Sequence, residues 1–255
     1  MTRYGLIGFP LGHSFSKKYF TEKFENEGIQ NHQYDLFELS DYKKLPQLIA
    51  ENPDIRGLNV TIPHKQNVVA LLDKLDAQSA GRIGAVNTIK IGTDGKTTGY
   101  NTDYYGFRQS LEDWLGNTAP AMQALVLGDG GAAKAVLAAL DDLHLGYKIV
   151  SRGGSADPSA RRISYEALRN SRITNGSQLI INASPVGTFP AVDDCPDIAY
   201  EQLTDQHFLY DLVYNPAETL FLKKGRAHGA AAHNGLKMLQ LQAEKAWQIW
   251  NDPDC

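Results

Sequence analysis

Residues 123–133 read QALVLGDGGAA, an apolar strand pattern that leads directly into a glycine-rich turn. The turn matches the dinucleotide-binding fingerprint G-x-G-x-x-G/A, with Ala133 in its third small position. The first glycine of such a turn makes the tight bend, and the second lets the backbone approach a pyrophosphate at a helix N-terminus. We therefore predict a dinucleotide site whose loop consists of Gly128, Gly130, Gly131 and Ala132.

Strand and helix patterns alternate on both sides of this turn. The predicted strands lie at 3–8, 32–39, 55–61, 123–127, 147–151, 178–182 and 206–211. Such alternation is typical of a mostly parallel sheet with helices on its faces. We expect an α/β protein with a substrate-binding domain at 1–103, completed by a returning C-terminal helix at 236–255, and a Rossmann-type domain at 104–235.

Composition restricts the class of partner. The chain has 255 residues, and its 25 basic and 29 acidic side chains argue against nucleic acid or an anionic membrane surface as partner. No signal-peptide pattern is present, and Cys195 and Cys255 are interpreted as free thiols of a cytoplasmic protein. The seven histidines lack metal-site spacing, and His13 and His64 are interpreted as supporting or solvated side chains. Monomer and homodimer both stay open.

The stretch NVTIPHK at 59–65 is a second candidate site. It ends a buried strand pattern, and Pro63 followed by apolar Val68 and Leu72 predicts a helix that begins at the proline. Ligands bind beyond the carboxyl ends of strands in open α/β sheets. The amide, hydroxyl and ammonium groups suit a polyhydroxylated ligand with a transferable proton. An ordinary turn with an exposed lysine is the alternative.

The end of the strand at 147–151 indicates which dinucleotide is bound. An NAD site has Asp or Glu about 20 residues past the fingerprint, where it binds the adenosine ribose hydroxyls. This chain has Ser151 and Arg152 instead, followed by Gly153. An arginine can pair with a 2′-phosphate, so the pattern favours NADP, with a solvated loop arginine as the alternative.

Other polar residues have local structural explanations. Ser16 is predicted as a helix N-cap, which leaves Ser14 without a local role. Asn87 could be a turn residue, and Asp103 could be an N-cap.

Together these motifs resemble one family, the shikimate dehydrogenases of the aromatic amino-acid pathway. Their order along nearly the whole chain makes the resemblance highly specific. The ordered set is GHSFS at 12–16, NVTIPHK at 59–65, GAVNT at 84–88, NTD at 101–103, GDGGA at 128–132, NASPVG at 182–187, YNP at 214–216 and NGLKML at 234–239 with Gln242 and Ala243.

The resemblance implies a substrate domain joined to a Rossmann NADP domain, and a reversible, NADPH-dependent reduction of 3-dehydroshikimate to shikimate. It implies that Lys65 and Asp103 are catalytic, and leaves open which of them is formally the acid–base. The other implied contacts are Ser14 and Ser16 with the substrate carboxylate, Thr61, Asn87 and Gln242 with its ring hydroxyls, and Tyr214 and Gly235 near the carboxylate and the nicotinamide.

Two features depart from the family pattern. The family reads Asn-Arg-Thr where this chain has Ser-Arg-Gly at 151–153, which removes a threonine hydroxyl near the 2′-phosphate. The loop after Asn182 reads Ala-Ser-Pro rather than Ala-Thr-Ser. These departures concern the strength of the NADP preference rather than the reaction.

Two other functions are compatible with the scaffold. A relative acting on quinate or aminoshikimate would carry the same motifs. A non-catalytic NADP-binding sensor could lose Lys65 or Asp103 without unfolding, and the presence of both residues argues against it.

Overall fold

The computed structural model describes residues 1–12, 14–116 and 122–252, and the chain divides into two compact units. One unit contains Met1–Thr102 and the chain from Gln242 onward, and the other contains Asp103–Leu241. His13 and Cys255, which the sequence interpretation singled out, lie outside the described residues.

The first unit is built on one mixed sheet. Its strands are β1 (Thr2–Gly8), β2 (His32–Glu38), β3 (Ile55–Val60), β4 (Lys74–Leu75), β5 (Thr88–Ile91) and β6 (Thr97–Tyr100). Within the described residues the strand order is β2-β1-β3-β5-β6-β4. β1 pairs in parallel with β2 and β3, whereas β5 runs antiparallel to β3 and β6. β5 and β6 thus form a hairpin.

Helical structure in the first unit is shorter than the sequence indicated. The helices are α1 (Phe15–Asn26), α2 (Leu45–Glu51) and α3 (Ala80–Ile83). The predicted helix from Pro63 is wrong, because the chain turns there and forms only the 3₁₀ helix Asn67–Leu71. Leu72 is already extended and Val68 is fully buried. The apolar spacing therefore reflects the burial of one short turn.

The second unit is a doubly wound parallel sheet. Its strands are β7 (Gln123–Leu127), β8 (Gly146–Ser155), β9 (Arg162–Ile163), β10 (Leu179–Asn182), β11 (Phe208–Asp211) and β12 (Ala231–His233). The described strands pair in parallel in the order β9-β8-β7-β10-β11-β12. The order reverses between β7 and β10, where such sheets bind ligands. The Rossmann-type prediction is confirmed.

Helices connect these strands, and the chain passes from one unit to the other within the first and the last of them. They are α4 (Thr102–Leu115), α5 (Gly131–Asp142), α6 (Tyr165–Arg169), α7 (Ile173–Gly176), α8 (Leu220–Ala227) and α9 (Leu236–Asn251). α5 buries an alanine-rich face that includes Ala133, Val136 and Ala139, as a helix packed closely on a sheet requires.

The end of α9 packs against the sheet of the first unit. Ala246 and Trp250 belong to the aromatic core cluster that also contains Phe20. The indole Nε1 of Trp250 donates to the Ile89 C=O at 3.0 Å. A Cβ added at Gly57 would lie 2.3 Å from the same indole, so the strand lacks a side chain where the helix approaches. The predicted return of the C-terminal helix is confirmed.

Candidate active site

The chain between β3 and the 3₁₀ helix forms a tight polar turn. The Thr61 N–H donates to the Ile7 C=O at 2.9 Å, which continues the sheet pairing one residue past β3. The Val86 N–H donates to the Lys65 C=O at 2.7 Å. This bond places the half-buried Lys65 beside the segment that carries Asn87.

His64 supports this turn from inside. It is 2% exposed, and its Nε2 lies 2.6 Å from the Leu39 C=O, so the ring donates there as the Nε2–H tautomer. Its Nδ1 has no hydrogen-bond partner among the described residues. The solvated interpretation of His64 is therefore wrong, and its supporting role stays a prediction.

The two serines at the start of α1 have local roles that differ from the prediction. Ser14 is the N-cap: its backbone is extended, and its Oγ accepts from the Lys17 N–H at 3.3 Å. Ser16 lies inside the helix, where its hydroxyl interacts with the Tyr34 phenol. Burial raises the pKa of Tyr34, and the Ser16 contact opposes that rise. The predicted N-cap at Ser16 is wrong because α1 begins at Phe15.

Asn87 is buried in a network of amides and hydroxyls in the first unit. Its Oδ1 accepts from the Thr102 backbone N–H at 2.6 Å. Its Nδ2 donates to Thr102 Oγ1 at 3.0 Å and to Gln242 Oε1 at 3.4 Å. Gln242 Oε1 also accepts from Thr102 Oγ1 at 3.3 Å. Because Oε1 takes both bonds, the Gln242 amide presents its Nε2 donor on the opposite side.

Asp103 follows this network directly in the chain and belongs to the second unit. It is 8% exposed and lies in the first turn of α4, where the helix dipole favours a carboxylate. The N-cap interpretation is wrong because α4 begins at Thr102.

A cleft of about 610 Å³ opens in the second unit beside the glycine-rich turn. Gly128 has φ +113°, and a Cβ there would lie 3.2 Å from the Ala183 backbone. Gly130 is the N-cap of α5 without a side-chain cap, and a Cβ there would meet no atom within 4 Å. The first N–H groups of α5 therefore face open space that suits an anion.

One wall of this cleft comes from β8, which continues to Ser155, beyond the strand end predicted at Ser151. Ser151 is 3% exposed, and its Oγ has no hydrogen-bond partner among the described residues. Arg152 is exposed, and Arg162 Nη1 pairs with Asp129 Oδ2 at 3.2 Å. A buried hydroxyl without a partner and an exposed arginine fit a ribose phosphate. The structure thus brings Gly128 and Gly130 together with Ser151 and Arg152 around one cleft, whereas Gly131 and Ala132 lie in the first turn of α5 and are not among its lining residues.

A buried carboxylate joins the loops that follow β10 and β11. Asp211 is 0% exposed and accepts from Asn182 Nδ2 at 2.9 Å, the Val213 N–H at 3.0 Å and Thr219 Oγ1 at 2.6 Å. Burial raises the pKa of Asp211 to about 6, and the three hydrogen bonds oppose the rise. Sequence reasoning missed Asp211. A usable signal was present, because Asn182 and Asp211 each end an apolar strand, and these strands pair in the sheet.

Tyr214 and Gly235 lie on neighbouring segments of the second unit. The Gly235 N–H donates to the Val213 C=O at 3.2 Å, directly before Tyr214. A Cβ at Gly235 would lie 2.1 Å from the Leu212 C=O, so the close approach requires glycine. Tyr214 is 36% exposed, and partial burial raises its pKa.

The described part of the chain shows neither a metal-binding cluster nor a membrane-spanning helix. It contains no group of three or more His, Cys, Asp or Glu residues placed to hold a metal ion. None of its helices has the length and apolar character needed to cross a bilayer. Cys195 is a free thiol that accepts from Lys224 Nζ at 3.2 Å.

The family model for the shikimate dehydrogenase substrate binding domain matches residues 6–89. An NADP(+)-dependent shikimate dehydrogenase of Clostridium beijerinckii is 41% identical over 99% of this chain and 93% of its own length.

Solved structures give the same result. A chorismate mutase/shikimate 5-dehydrogenase fusion protein from Clostridium acetobutylicum is 38% identical with a TM-score of 0.85, covering 98% of this chain and 91% of that one. The shikimate 5-dehydrogenase of Thermus thermophilus, solved with NADP(H) and shikimate, is 31% identical with a TM-score of 0.83, covering 98% and 94%.

Proposed function

We propose that this chain, which belongs to the shikimate dehydrogenase family, catalyses the reversible NADPH-dependent reduction of 3-dehydroshikimate to shikimate in aromatic amino-acid and chorismate biosynthesis. The observation that carries the proposal is the 2.7 Å backbone bond between Val86 and Lys65. It brings the backbone of Lys65 beside the segment that carries Asn87, whose buried amide bonds Gln242. A polyhydroxylated ring with a reducible carbonyl needs both an ammonium and amides.

The first unit is proposed to bind the substrate. Ser14 accepts the Lys17 N–H through its Oγ and keeps its own proton, so it can donate to a carboxylate while it caps α1. Ser16 is proposed to contact the same carboxylate, and Thr61, Asn87 and Gln242 the ring hydroxyls. Gln242 offers its Nε2 as a donor, which suits the lone pairs of a hydroxyl.

Lys65 is proposed as the proton donor. Reduction of a carbonyl places negative charge on its oxygen, and a positioned ammonium can neutralise that charge by proton transfer. In the oxidative direction the neutral amine accepts the hydroxyl proton. Asp103 is proposed to orient the reacting hydroxyl and the ammonium. Its place in the first turn of α4 favours the ionised carboxylate that this role requires.

The second unit is proposed to bind NADP. The N–H groups at the start of α5, beyond Gly128 and Gly130, would hold the pyrophosphate, and Gly131 and Ala132 form that first turn. Ser151 and Arg152 would hold the ribose phosphate, and Tyr214 and Gly235 would lie near the substrate carboxylate and the nicotinamide. NADPH supplies the hydride when bound. The division of the chain into two compact units supports the proposal of a substrate domain and a Rossmann domain.

Quinate and aminoshikimate are less favoured substrates, since the Clostridium beijerinckii relative at 41% identity is a shikimate dehydrogenase. A cytoplasmic location is proposed because Cys195 is a free thiol, which is typical of a reducing compartment. Small molecules are the expected partners, and monomer and homodimer are both compatible with the sequence.

A steady-state assay of the wild type with 3-dehydroshikimate and 3-dehydroquinate, each with NADPH and NADH, tests the proposal. We expect the highest kcat/KM for 3-dehydroshikimate with NADPH. Turnover of 3-dehydroquinate alone would assign the chain to the quinate branch. Absence of turnover with both substrates, by protein that binds NADP, would support the sensor instead.

A further inference from the structure

Thr88 is a completely buried polar residue that none of the roles above includes. It is the first residue of β5 and is 0% exposed, so it cannot touch a ligand. Its Oγ1 nevertheless lies within hydrogen-bond distance of three polar neighbours. A threonine hydroxyl has one proton and two lone pairs, so three polar neighbours are the most that it can bond.

Two of these three neighbours are hydrogen-bond partners of the hydroxyl. Asn59 Nδ2 donates to Thr88 Oγ1 at 3.2 Å, and Thr88 Oγ1 donates to Asn87 Oδ1 at 3.1 Å. Thr88 Oγ1 also lies 3.1 Å from Thr102 Oγ1, whose own proton goes to Gln242 Oε1. Asn59 is buried as well, and its Nδ2 also donates to the Asn87 C=O at 3.3 Å.

These partners belong to different parts of the proposed substrate site. Asn59 lies in β3, two residues before Thr61. Thr102 bonds both Asn87 and Gln242 and immediately precedes Asp103. The Thr88 hydroxyl therefore joins the strand that leads to Lys65 with the amides of Asn87 and Gln242.

We propose that Thr88 is a positioning residue for substrate binding, and that its hydroxyl, together with the Thr102 N–H, fixes which side of each amide faces the ligand. Asn87 Oδ1 accepts from both of these donors inside the network, so Asn87 Nδ2 turns to Gln242 Oε1. Gln242 then presents Nε2 to the ligand. The opposing group on the ligand must be a hydrogen-bond acceptor, such as a ring hydroxyl oxygen. This inference rests on the proposed function.

Thr97 offers a matched control in the same hairpin. It begins β6, which pairs with β5, and it is 7% exposed. Its Oγ1 donates to Asp73 Oδ2 at 2.8 Å and accepts from the Asp73 N–H at 3.1 Å. Thr88 pairs with Tyr100, whereas Thr97 pairs with Ile91 at the other end of the hairpin. Valine at either position removes a bonded hydroxyl and keeps the shape.

The test compares Thr88→Val, Thr88→Ser and Thr97→Val with the wild type, measuring KM for shikimate, KM for NADP and melting temperature. Both valine variants should melt at lower temperature. Only Thr88→Val should raise KM for shikimate, by about fivefold or more, with KM for NADP within about twofold of the wild type. Thr88→Ser should restore KM for shikimate. If Thr88→Val does not fold, Thr102→Val removes the partner hydroxyl and should raise the same KM.

An active wild type with unchanged KM for shikimate in Thr88→Val would overturn the inference while leaving the proposed function intact. An equal rise in Thr97→Val, or no rescue by Thr88→Ser, would show that lost stability alone changes KM, and would also overturn it. A wild type without turnover of shikimate would overturn the proposed function, and the inference with it.

Discussion

The Tyr34 hydroxyl donates a 2.8 Å hydrogen bond to Asn59 Oδ1 in the interior of the first unit. Tyr34 is 2% exposed and Asn59 is 5% exposed, so water cannot replace either partner easily. Ser16 contacts the same phenol, and Asn59 donates to Thr88. Through these contacts of Tyr34 and Asn59, the start of α1 is linked with the polar network around Asn87.

Removing only the Tyr34 hydroxyl should destabilise the first unit. Tyr34→Phe leaves the buried Asn59 Oδ1 without its donor, and an unsatisfied buried acceptor costs about 1–3 kcal/mol in the free energy of unfolding. Urea denaturation measures the loss. Tyr4→Phe is the control, since Tyr4 is equally buried in the same core and its hydroxyl makes no hydrogen bond with the described residues. Equal stability losses in the two variants would contradict this account.

Asp211 should make stability depend on pH in the direction opposite to an ion-paired carboxylate. Burial raises the folded-state pKa of Asp211 to about 6 from its ordinary value of 3.8. The folded state therefore binds more protons between these values, and its stability falls as the pH rises through that window, by at most about 1.4 kcal/mol per pH unit.

Asp211→Asn should remove this fall, because the amide keeps acceptors for Asn182 and Val213 and can donate to Thr219. Unfolding free energies measured from pH 4.5 to 7 give the slope as a difference from the wild type. Asp157→Asn is the control, since hydrogen bonds from Ser159 lower the pKa of Asp157 and its stabilising contribution is lost only as the pH falls. If the slope of Asp211→Asn equals that of the wild type, the Asp211 carboxyl has the same pKa in the folded and unfolded states. That result would contradict the prediction.

Restoring the family's threonine at position 153 should strengthen NADP binding. A Cβ at Gly153 would meet no atom within 4 Å, so the larger side chain has room. Gly153→Thr adds a hydroxyl near the proposed 2′-phosphate site, and one such bond should lower KM for NADP about threefold to tenfold. KM for NAD should not change, because NAD lacks this phosphate. Gly153→Val controls for shape, and a similar gain with valine would rule out the hydroxyl as the cause.

Substitution of the neighbouring Gly154 should instead lower the stability of the protein. A Cβ at Gly154 would lie 2.0 Å from the Ile163 C=O, which is backbone of the adjacent strand β9. Gly154→Ala must push the strands apart, at a cost of about 1–3 kcal/mol in unfolding free energy. Gly153→Ala should stay within about 0.5 kcal/mol of the wild type. Thermal and urea unfolding compare the two, and equal effects would contradict the close approach of β8 and β9.

Patterns within a short stretch predicted much of this fold. The turn at Gly128 and the long apolar strands follow from local periodicity and glycine chemistry, and the Rossmann-type sheet is as expected. Strands of two or three residues, such as β4 and β9, were missed because they are too short for a period to show. The helix at Pro63 was wrong because apolar spacing over five residues does not distinguish a helix from a buried turn.

The polar networks could not be predicted in the same way. Asn87 and Gln242 are 155 positions apart, and their bond depends on how α9 packs on the sheet. The roles of Ser14 and Ser16 depend on a two-residue difference in where α1 begins. The motifs therefore indicated which residues to propose for the site, whereas side-chain partners and burial came from the three-dimensional structure.

The most direct test of the central claim is the kcat of Lys65→Ala for 3-dehydroshikimate reduction by NADPH, with shikimate affinity measured separately by calorimetry. Lys74→Ala, which removes an exposed lysine of the same unit, is the control. If Lys65 donates the proton, kcat should fall about 10²–10⁴-fold while the melting temperature is retained, and Lys74→Ala should match the wild type. A folded Lys65→Ala enzyme with kcat within about tenfold of the wild type would contradict the assignment.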